Sequence, residues 1–294
     1  AQQEATGFTR ADLMAMTKAR LSLLVIITTL VAYWIATRTL GAGVEWPKLV
    51  QTIIGSSLAA GAASVFNQLK EIDVDAKLAR SADGPLPAKK LPPAAGLVVG
   101  WVLAALGIVH LAVKVNSEAA AAAAATLLVY VFIYTPLKRR SSLNTLVGAV
   151  AGALPPLIGW FGAGGSLGVE AWFLFGLLFF WQLPHFVAIN WMYRQQYEDA
   201  GFVMWSNGDE SGAKTSLLAV LFSSCLVLLM LVPLVFEFCA FWAVLLAMGL
   251  GVRMVLLAMK FRGDRARASA RKLFLFTLIY LPLSLTLLLL GWQH

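Results

Sequence analysis

At 294 residues, with 60% hydrophobic and 13% charged side chains, the chain holds more apolar sequence than a soluble interior can take up. Its mean hydropathy of +0.78 excludes a soluble globular enzyme; the expected class is an all-α polytopic membrane protein, about nine transmembrane helices at roughly 20 residues each. The net charge of +8 reads as the cytoplasmic Lys and Arg excess that orients such proteins, with no nucleic-acid partner implied.

In chain order, Ala1–Thr9 is polar and has no secretory-signal pattern. Thr9–Arg20 is expected as a short interfacial helix, with Leu13, Met14 and Met16 as apolar contacts and Lys18 and Arg20 at its end. The first four spans are expected at about Leu21–Thr39, Leu49–Gln68, Leu91–Val113 and Ala119–Tyr134. Gly55, Ser56, Ser57 and Gly61 in the second, and the seven alanines opening the fourth, offer faces for close helix packing.

The fifth span, about Leu143–Gly162, carries Gly148-x-x-x-Gly152 and then Pro155-Pro156. Prolines at mid-depth strand backbone carbonyls, which is tolerable only beside protein or a wet cavity. The sixth, about Val169–Met192, contains Trp181-Gln182-Leu183-Pro184-His185-Phe186. The last three are placed at about Ser216–Phe236, Phe238–Met259 and Leu273–Trp292; Cys225 and Cys239 lie in apolar runs without metal-type spacing. With the N-terminus inside, nineteen of the 23 Lys and Arg fall on inner segments. That asymmetry predicts a cytoplasmic N-terminus, an outer C-terminus and a functional face toward the cytoplasm.

On that inner face lies Asn67-Gln68-Leu69-Lys70-Glu71-Ile72-Asp73-Val74-Asp75. If the second span continues as helix, Asn67, Glu71 and Asp75 stack at four-residue intervals on one side, since four residues turn a helix by about 400°. Asp73 then points away. Such a column can hold a hard cation, or it can cap a helix and solvate a loop. Carboxylates at a span end cost on the order of 2–3 kcal/mol each, and magnesium favours carboxylates together with substrate phosphates. Lys138, Arg139 and Arg194 on the same face suit the remaining phosphate oxygens. Metal, cations and an adjoining apolar cavity together suit a lipid diphosphate. At the end of the sixth span Asn190, Arg194 and Glu198 repeat the spacing, with Asp199 adjacent. Spans 1–4 and 5–8 thus read as a candidate internal repeat within a single domain, residues 1–294, plus a ninth helix. His185 is open to two readings, a hydrogen-bonded packing residue or a ligand; intramembrane polar groups usually line a site.

These blocks resemble the protohaem IX farnesyltransferases (haem O synthases) of the UbiA-type intramembrane prenyltransferase superfamily. The resemblance is carried by Thr17-Lys18-Ala19-Arg20 and by Asn67-Gln68-x-x-Glu71-x-x-x-Asp75-Ala76-Lys77 with Arg80 and Pro85-Leu86-Pro87. It is carried further by Tyr134-Thr135-Pro136-Leu137-Lys138-Arg139 with Asn144, by Gly152–Trp160, and by Trp181–Phe186 through Tyr197 to Ala200-Gly201. It implies nine helices around a central cavity (the UbiA-like fold) and Mg2+ on Asn67, Glu71 and Asp75, with Glu198 and Asp199 as candidates for a second position. Diphosphate contacts are implied for Lys18, Arg20, Lys77, Arg80, Lys138, Arg139 and Arg194, and a haem or prenyl cavity for Gln182, His185, Tyr134, Asn144 and Trp181.

The implied reaction joins farnesyl diphosphate and haem B to give haem O at the cell inner membrane, in the company of haem A synthase or terminal oxidase assembly proteins. The sequence departs from the family pattern at Ala19 (usually Pro), at Gly84 (usually Arg) and at Gln196 (usually Asp). Competing readings are a UbiA-type enzyme with an aromatic or lipid acceptor, a non-catalytic haem-handling membrane protein, and a degenerate paralogue.

Overall fold

The computed structural model describes residues 10–17, 19–75, 86 and 91–293; among them the backbone is helical, with one isolated bridge between Cys239 and Trp292. Among the described residues eight helical stretches are long and apolar enough to cross a membrane, and Leu23–Thr39 adds a shorter apolar helix to the set. The expected count of about nine is met, and the chain is a multi-span membrane protein.

The elements are α1 (Arg10–Met16), α2 (Ala19–Thr39), α3 (Trp46–Lys70), α4 (Ile72–Asp75) and α5 (Pro93–Lys114). The fourth span is composite: α6 (Ser117–Leu128), a π-helical stretch over Val129–Tyr134, and α7 (Thr135–Leu137). The fifth is α8 (Asn144–Ala153) and α9 (Pro155–Gly162), broken at Leu154 as the double proline requires. There follow α10 (Val169–Met192), α11 (Arg194–Asp199), α12 (Ala213–Leu229), α13 (Val232–Val235), α14 (Phe241–Asp264) and α15 (Arg267–Gly291).

Small residues set how closely these helices approach. A Cβ on Gly55 would meet the Leu111 side chain at 2.5 Å, and one on Gly107 the Ala59 nitrogen at 2.8 Å, so α3 and α5 cross almost backbone to backbone. Gly159 admits the backbone of α2, because its Cβ would collide with the Thr29 carbonyl oxygen. In the alanine run, Ala119, Ala120, Ala122 and Ala123 are buried. Asn116 caps that helix, accepting at Oδ1 from the Ala119 N–H (2.8 Å) and donating from Nδ2 to the Phe161 carbonyl (2.6 Å). Val98, Trp101, Val109 and Val113 of α5 lie exposed, as lipid-facing positions do. Arg38 donates to the Leu289 carbonyl and Trp292 Nε1 to Thr39 Oγ1, joining the end of α2 to the end of α15.

The N-terminal helix departs from the expectation. It runs over Arg10–Met16 and is docked into protein, not only laid on an interface: Met16 is fully buried against Val65 and Leu86. Its last carbonyl accepts from Ser64 Oγ (2.8 Å) and Gln68 Nε2. Amphipathic spacing shows which face is apolar but not whether lipid or protein covers it.

Gly159→Ala should lower stability by about 1–3 kcal/mol, since an added methyl here meets rigid backbone. Gly249→Ala, where nothing lies within 4 Å, should lose none; denaturation in mixed micelles compares the two.

Candidate active site

The expected column at the end of the second span is interrupted. α3 stops at Lys70, and Glu71 leaves helical geometry at φ −114° and ψ 14° while its N–H still bonds the Asn67 carbonyl (3.1 Å). The first two members remain together, with Asn67 Nδ2 donating to Glu71 Oε2 at 2.9 Å. The continuous eight-residue helix face does not form: α4 restarts after the break and ends at Asp75, whose side chain lies outside the described residues. Asp73 is exposed, as expected of a residue pointing away. Gln68, one position round, faces α1 instead and ties it down.

Glu71 is 6% exposed, and a carboxylate so placed needs a charge partner. Lys138 supplies it, Nζ to Oε1 at 2.8 Å. The ammonium sits 4.7 Å from the Tyr134 ring centroid and 5.7 Å from that of Phe202. Burial alone would lower the Lys138 pKa; the Tyr134 oxygen and the Glu71 carboxylate outweigh it and hold the ammonium above its ordinary range. The stability linked to the Lys138 proton is therefore fully present below the ordinary lysine pKa and is lost as the pH rises through the raised one.

Two features that sequence reasoning missed bring Lys138 there. One is the π-helical stretch before Thr135-Pro136. The Thr135 N–H reaches back five residues to the Tyr130 carbonyl, so the next such bond, from residue 136 to Val131, would need an N–H that Pro136 lacks. The Val131 carbonyl instead accepts from Lys70 Nζ at 2.7 Å. Thr135 Oγ1 lies 2.7 Å from the Tyr130 carbonyl and 3.2 Å from Asn67 Oδ1. The dipeptide Thr135-Pro136 was the available signal.

The second feature is a clamp between the loop after α7 and the loop after α11. Val203 donates its N–H to the Lys138 carbonyl (2.7 Å), and its own carbonyl accepts from Asn144 Nδ2 (2.6 Å). Asn144, expected at a cavity, is thus a loop fastener, also bonded to the Ser141 carbonyl. Gly201, at φ +75°, turns the chain so that Phe202 reaches Lys138 and packs with Tyr197 and Met204.

Beneath this cluster lies a cavity of about 310 Å3 lined largely by apolar side chains. Tyr134 belongs to both, roofing the cavity and carrying Lys138 on its ring. Gln182, Phe186, Gly148, Gly152 and Pro155 contribute to its wall. The Gly148-x-x-x-Gly152 pattern serves these side chains: a Cβ on Gly148 would meet Tyr134, and one on Gly152 would collide with Gln182. Pro155 and Pro156 deny helical donors to the carbonyls of Ala151 and Gly152, both cavity-lining residues, as expected of proline at depth.

The remaining expected site residues divide. Trp181 is buried and donates to the Thr277 carbonyl of α15 (2.7 Å), so it packs α10 on α15 and is absent from the cavity wall. His185 stacks on Trp181, and its Nδ1 lies 2.8 Å from Thr277 Oγ1. Arg139 is exposed. Arg194 stacks on Trp191 (4.2 Å) and lines a separate groove of about 480 Å3 with Arg265 and Arg267, away from Glu71. Glu198 and Asp199 are exposed; Asp199 accepts from Gln195 Nε2 (3.0 Å). Lys77 and Arg80, and the side chains of Lys18 and Arg20, lie outside the described residues.

The chain breaks again after α10, at Tyr193 with φ −118° and ψ 21°, matching the break after α3. The matching breaks pair Glu71 with Tyr193, one residue away from the register expected from Asn67 and Asn190. Among the described residues no three His, Cys, Asp or Glu side chains gather as a metal-binding group. The Asn67 and Glu71 oxygens are nonetheless a donor set for a hard cation of the kind that takes one or two carboxylates and completes its shell with substrate phosphates and water. They fit magnesium and would not suit a soft metal.

A helical bundle with an acid, an amide and a lysine poised over an apolar membrane cavity is the form of an intramembrane prenyl-transfer protein. Residues 25–280 match the UbiA prenyltransferase family, and the chain belongs to it. It is 38% identical to the protoheme IX farnesyltransferase of Opitutus terrae over 94% of this chain and 92% of that one. With the protoheme IX farnesyltransferase of Solibacter usitatus the identity is 34%, over 95% and 98%. The fold also matches a solved digeranylgeranylglyceryl phosphate synthase at a TM-score of 0.81, with 14% identity, covering 96% of this chain and 97% of that one. A UbiA homologue of Archaeoglobus fulgidus bound to DMAPP and Mg2+ matches at a TM-score of 0.66, with 14% identity, covering 94% and 99%.

Lys138→Met should cost about 3–5 kcal/mol by leaving Glu71 buried and unpaired. Adding Glu71→Gln should restore most of that stability without restoring activity; unfolding in mixed micelles and turnover assays on the single and double variants check both halves.

Proposed function

We propose that this chain transfers the farnesyl group of farnesyl diphosphate to a vinyl group of protohaem IX (haem B), with addition of water, giving haem O and diphosphate. The observation that carries it is the buried Asn67–Glu71–Lys138 cluster set on the Tyr134 roof of an apolar cavity, in a chain 32–38% identical to eight protoheme IX farnesyltransferases.

Asn67 and Glu71, with Asp75 at the end of α4, are the residues that would hold Mg2+. When bound, the ion supplies charge for the diphosphate and its departure. Lys138 lies within reach of the same oxygens and binds the diphosphate's outer charge. Lys18, Arg20, Lys77, Arg80 and Arg139 are the further cations assigned to it.

The allylic C–O bond breaks with its electron pair leaving on diphosphate. The vinyl π pair closes the new C–C bond, and water adds to the resulting cation and gives up a proton. The apolar wall keeps bulk water from the allylic cation, and Tyr134 and Gln182 are among the polar groups in its lining, with Ser56, Ser64, Thr126 and Tyr130. Arg194, Glu198 and Asp199 stand outside this core, so a second metal position has less support than the first.

The Lys and Arg asymmetry supports a cytoplasmic N-terminus and active face and an outer C-terminus in the cell inner membrane. A single domain built on a four-helix repeat is supported by the matched breaks at Glu71 and Tyr193. Haem A synthase or oxidase assembly proteins are the partners to which the product would pass.

Membranes holding the wild-type chain, incubated with haem B, farnesyl diphosphate and Mg2+, should yield a farnesyl-bearing haem by mass analysis, and Asp75→Asn or added chelator should abolish it. An aromatic or lipid prenyl product with unmodified haem would instead favour another acceptor.

A further inference from the structure

Helix α14 carries a charge at the depth where a membrane span tolerates it least. Of the 24 residues of Phe241–Asp264, twelve precede Arg253 and eleven follow it. At about 1.5 Å per residue it stands about 18 Å from one end of the helix and about 17 Å from the other. A hydrocarbon core of about 30 Å centred on the span leaves about 15 Å to either surface, more than an arginine side chain covers. Helix side chains also lean toward the N-terminus, here the farther end. Arg253 is exposed, and among the described residues it has no carboxylate, hydrogen-bond acceptor or aromatic ring as partner. A bare guanidinium facing hydrocarbon is costly, and such residues usually face a partner.

The residues around it form a packing seam. Trp242, Leu246, Gly249, Arg253, Leu256 and Lys260 follow one another at alternating four- and three-residue steps, and all six are exposed. That is the 3.5-residue repeat along which one helix lies on another. Ala247, Gly251 and Met254, on the other side of α14, are buried in the bundle. Gly249, one turn before Arg253, leaves a notch, since a Cβ there meets nothing within 4 Å. Small residues are where a second membrane helix comes closest.

We propose that this seam binds a transmembrane helix of a different protein, one with an Asp or Glu near the middle of its span to pair with Arg253. Charge complementarity chooses the occupant. An anionic lipid carries its charge at the membrane surface, far from this depth. A second copy of the chain brings no acid, because no Asp or Glu of the sequence falls between the first and last turns of a spanning helix. A two-fold pairing through the seam would instead set Arg253 against Arg253. The pair also selects, since a helix with a neutral residue at that depth leaves the guanidinium uncompensated. No residue of the seam belongs to the candidate active site, so the inference stands apart from the farnesyl-transfer reading.

The test uses the full-length protein in lipid nanodiscs and a labelled polyleucine helix of about 23 residues with one central Asp, Asn or Lys. Resonance energy transfer should show the Asp helix binding at least about tenfold more tightly than the Asn helix. Arg253→Leu should lose that preference while unfolding no earlier than the wild type. Gly249→Leu should weaken binding of the Asp helix by blocking its approach, and Arg253→Glu should prefer the Lys helix. Equal binding of the Asp and Asn helices, or a preference that survives Arg253→Leu, would overturn the pairing. A photo-crosslinker at Leu256, in the chain's native membrane, should capture a transmembrane segment with a central Asp or Glu. Capture of a second copy, of a segment without an acid, or of lipid alone would overturn the choice of partner.

Discussion

The contact on which the candidate site depends is the ion pair between Glu71 and Lys138. A carboxylate this deeply buried is stable only if a cation and hydrogen bonds replace the water it has lost. Lys138 and Asn67 do this, and each is held by something further away. Asn67 is met by Thr135, and Lys138 is boxed by Tyr134 and Phe202. The Lys138 backbone is clamped to Val203. The loop around Val203 thus secures the acidic motif at Asn67 and Glu71, and the charges of the proposed diphosphate site are held in fixed positions.

The same economy governs the cavity. Gly148 and Gly152 exist to admit Tyr134 and Gln182, and Gly159 to let α9 lie on α2. Alanine does similar work on α6, where a larger side chain at Ala123 would enter the cavity. The apolar volume is bounded by helices packed at the closest approach their small residues permit, and its lining is largely apolar.

Much of this was legible in the residues. Apolar runs located the spans, with ends up to six positions off at α15, and for α10 the expected Val169–Met192 is the observed helix. The four-residue spacing of Asn67 and Glu71 gave a contact that forms. What failed depended on contacts distant in sequence. Periodicity extends a helix until something stops it, and nothing local announces that Glu71 ends α3 or Tyr193 ends α10. Asn144, Trp181 and Arg194 are polar groups near an expected cavity, but their partners (Val203, Thr277 and the Trp191 ring) are set by tertiary packing. The π-helical turn that aims Tyr134 and Thr135 leaves only the faint trace of a proline in the sequence.

The most direct measurement is equilibrium binding of farnesyl diphosphate to the purified protein in lipid nanodiscs, with and without Mg2+, for wild type and Glu71→Gln. If Glu71 and Asn67 hold the ion that grips the diphosphate, wild-type affinity falls at least about tenfold on chelation, and Glu71→Gln binds as weakly with Mg2+ as without it. Equal affinity with and without Mg2+, or a Glu71→Gln protein that binds as the wild type does, would contradict the account.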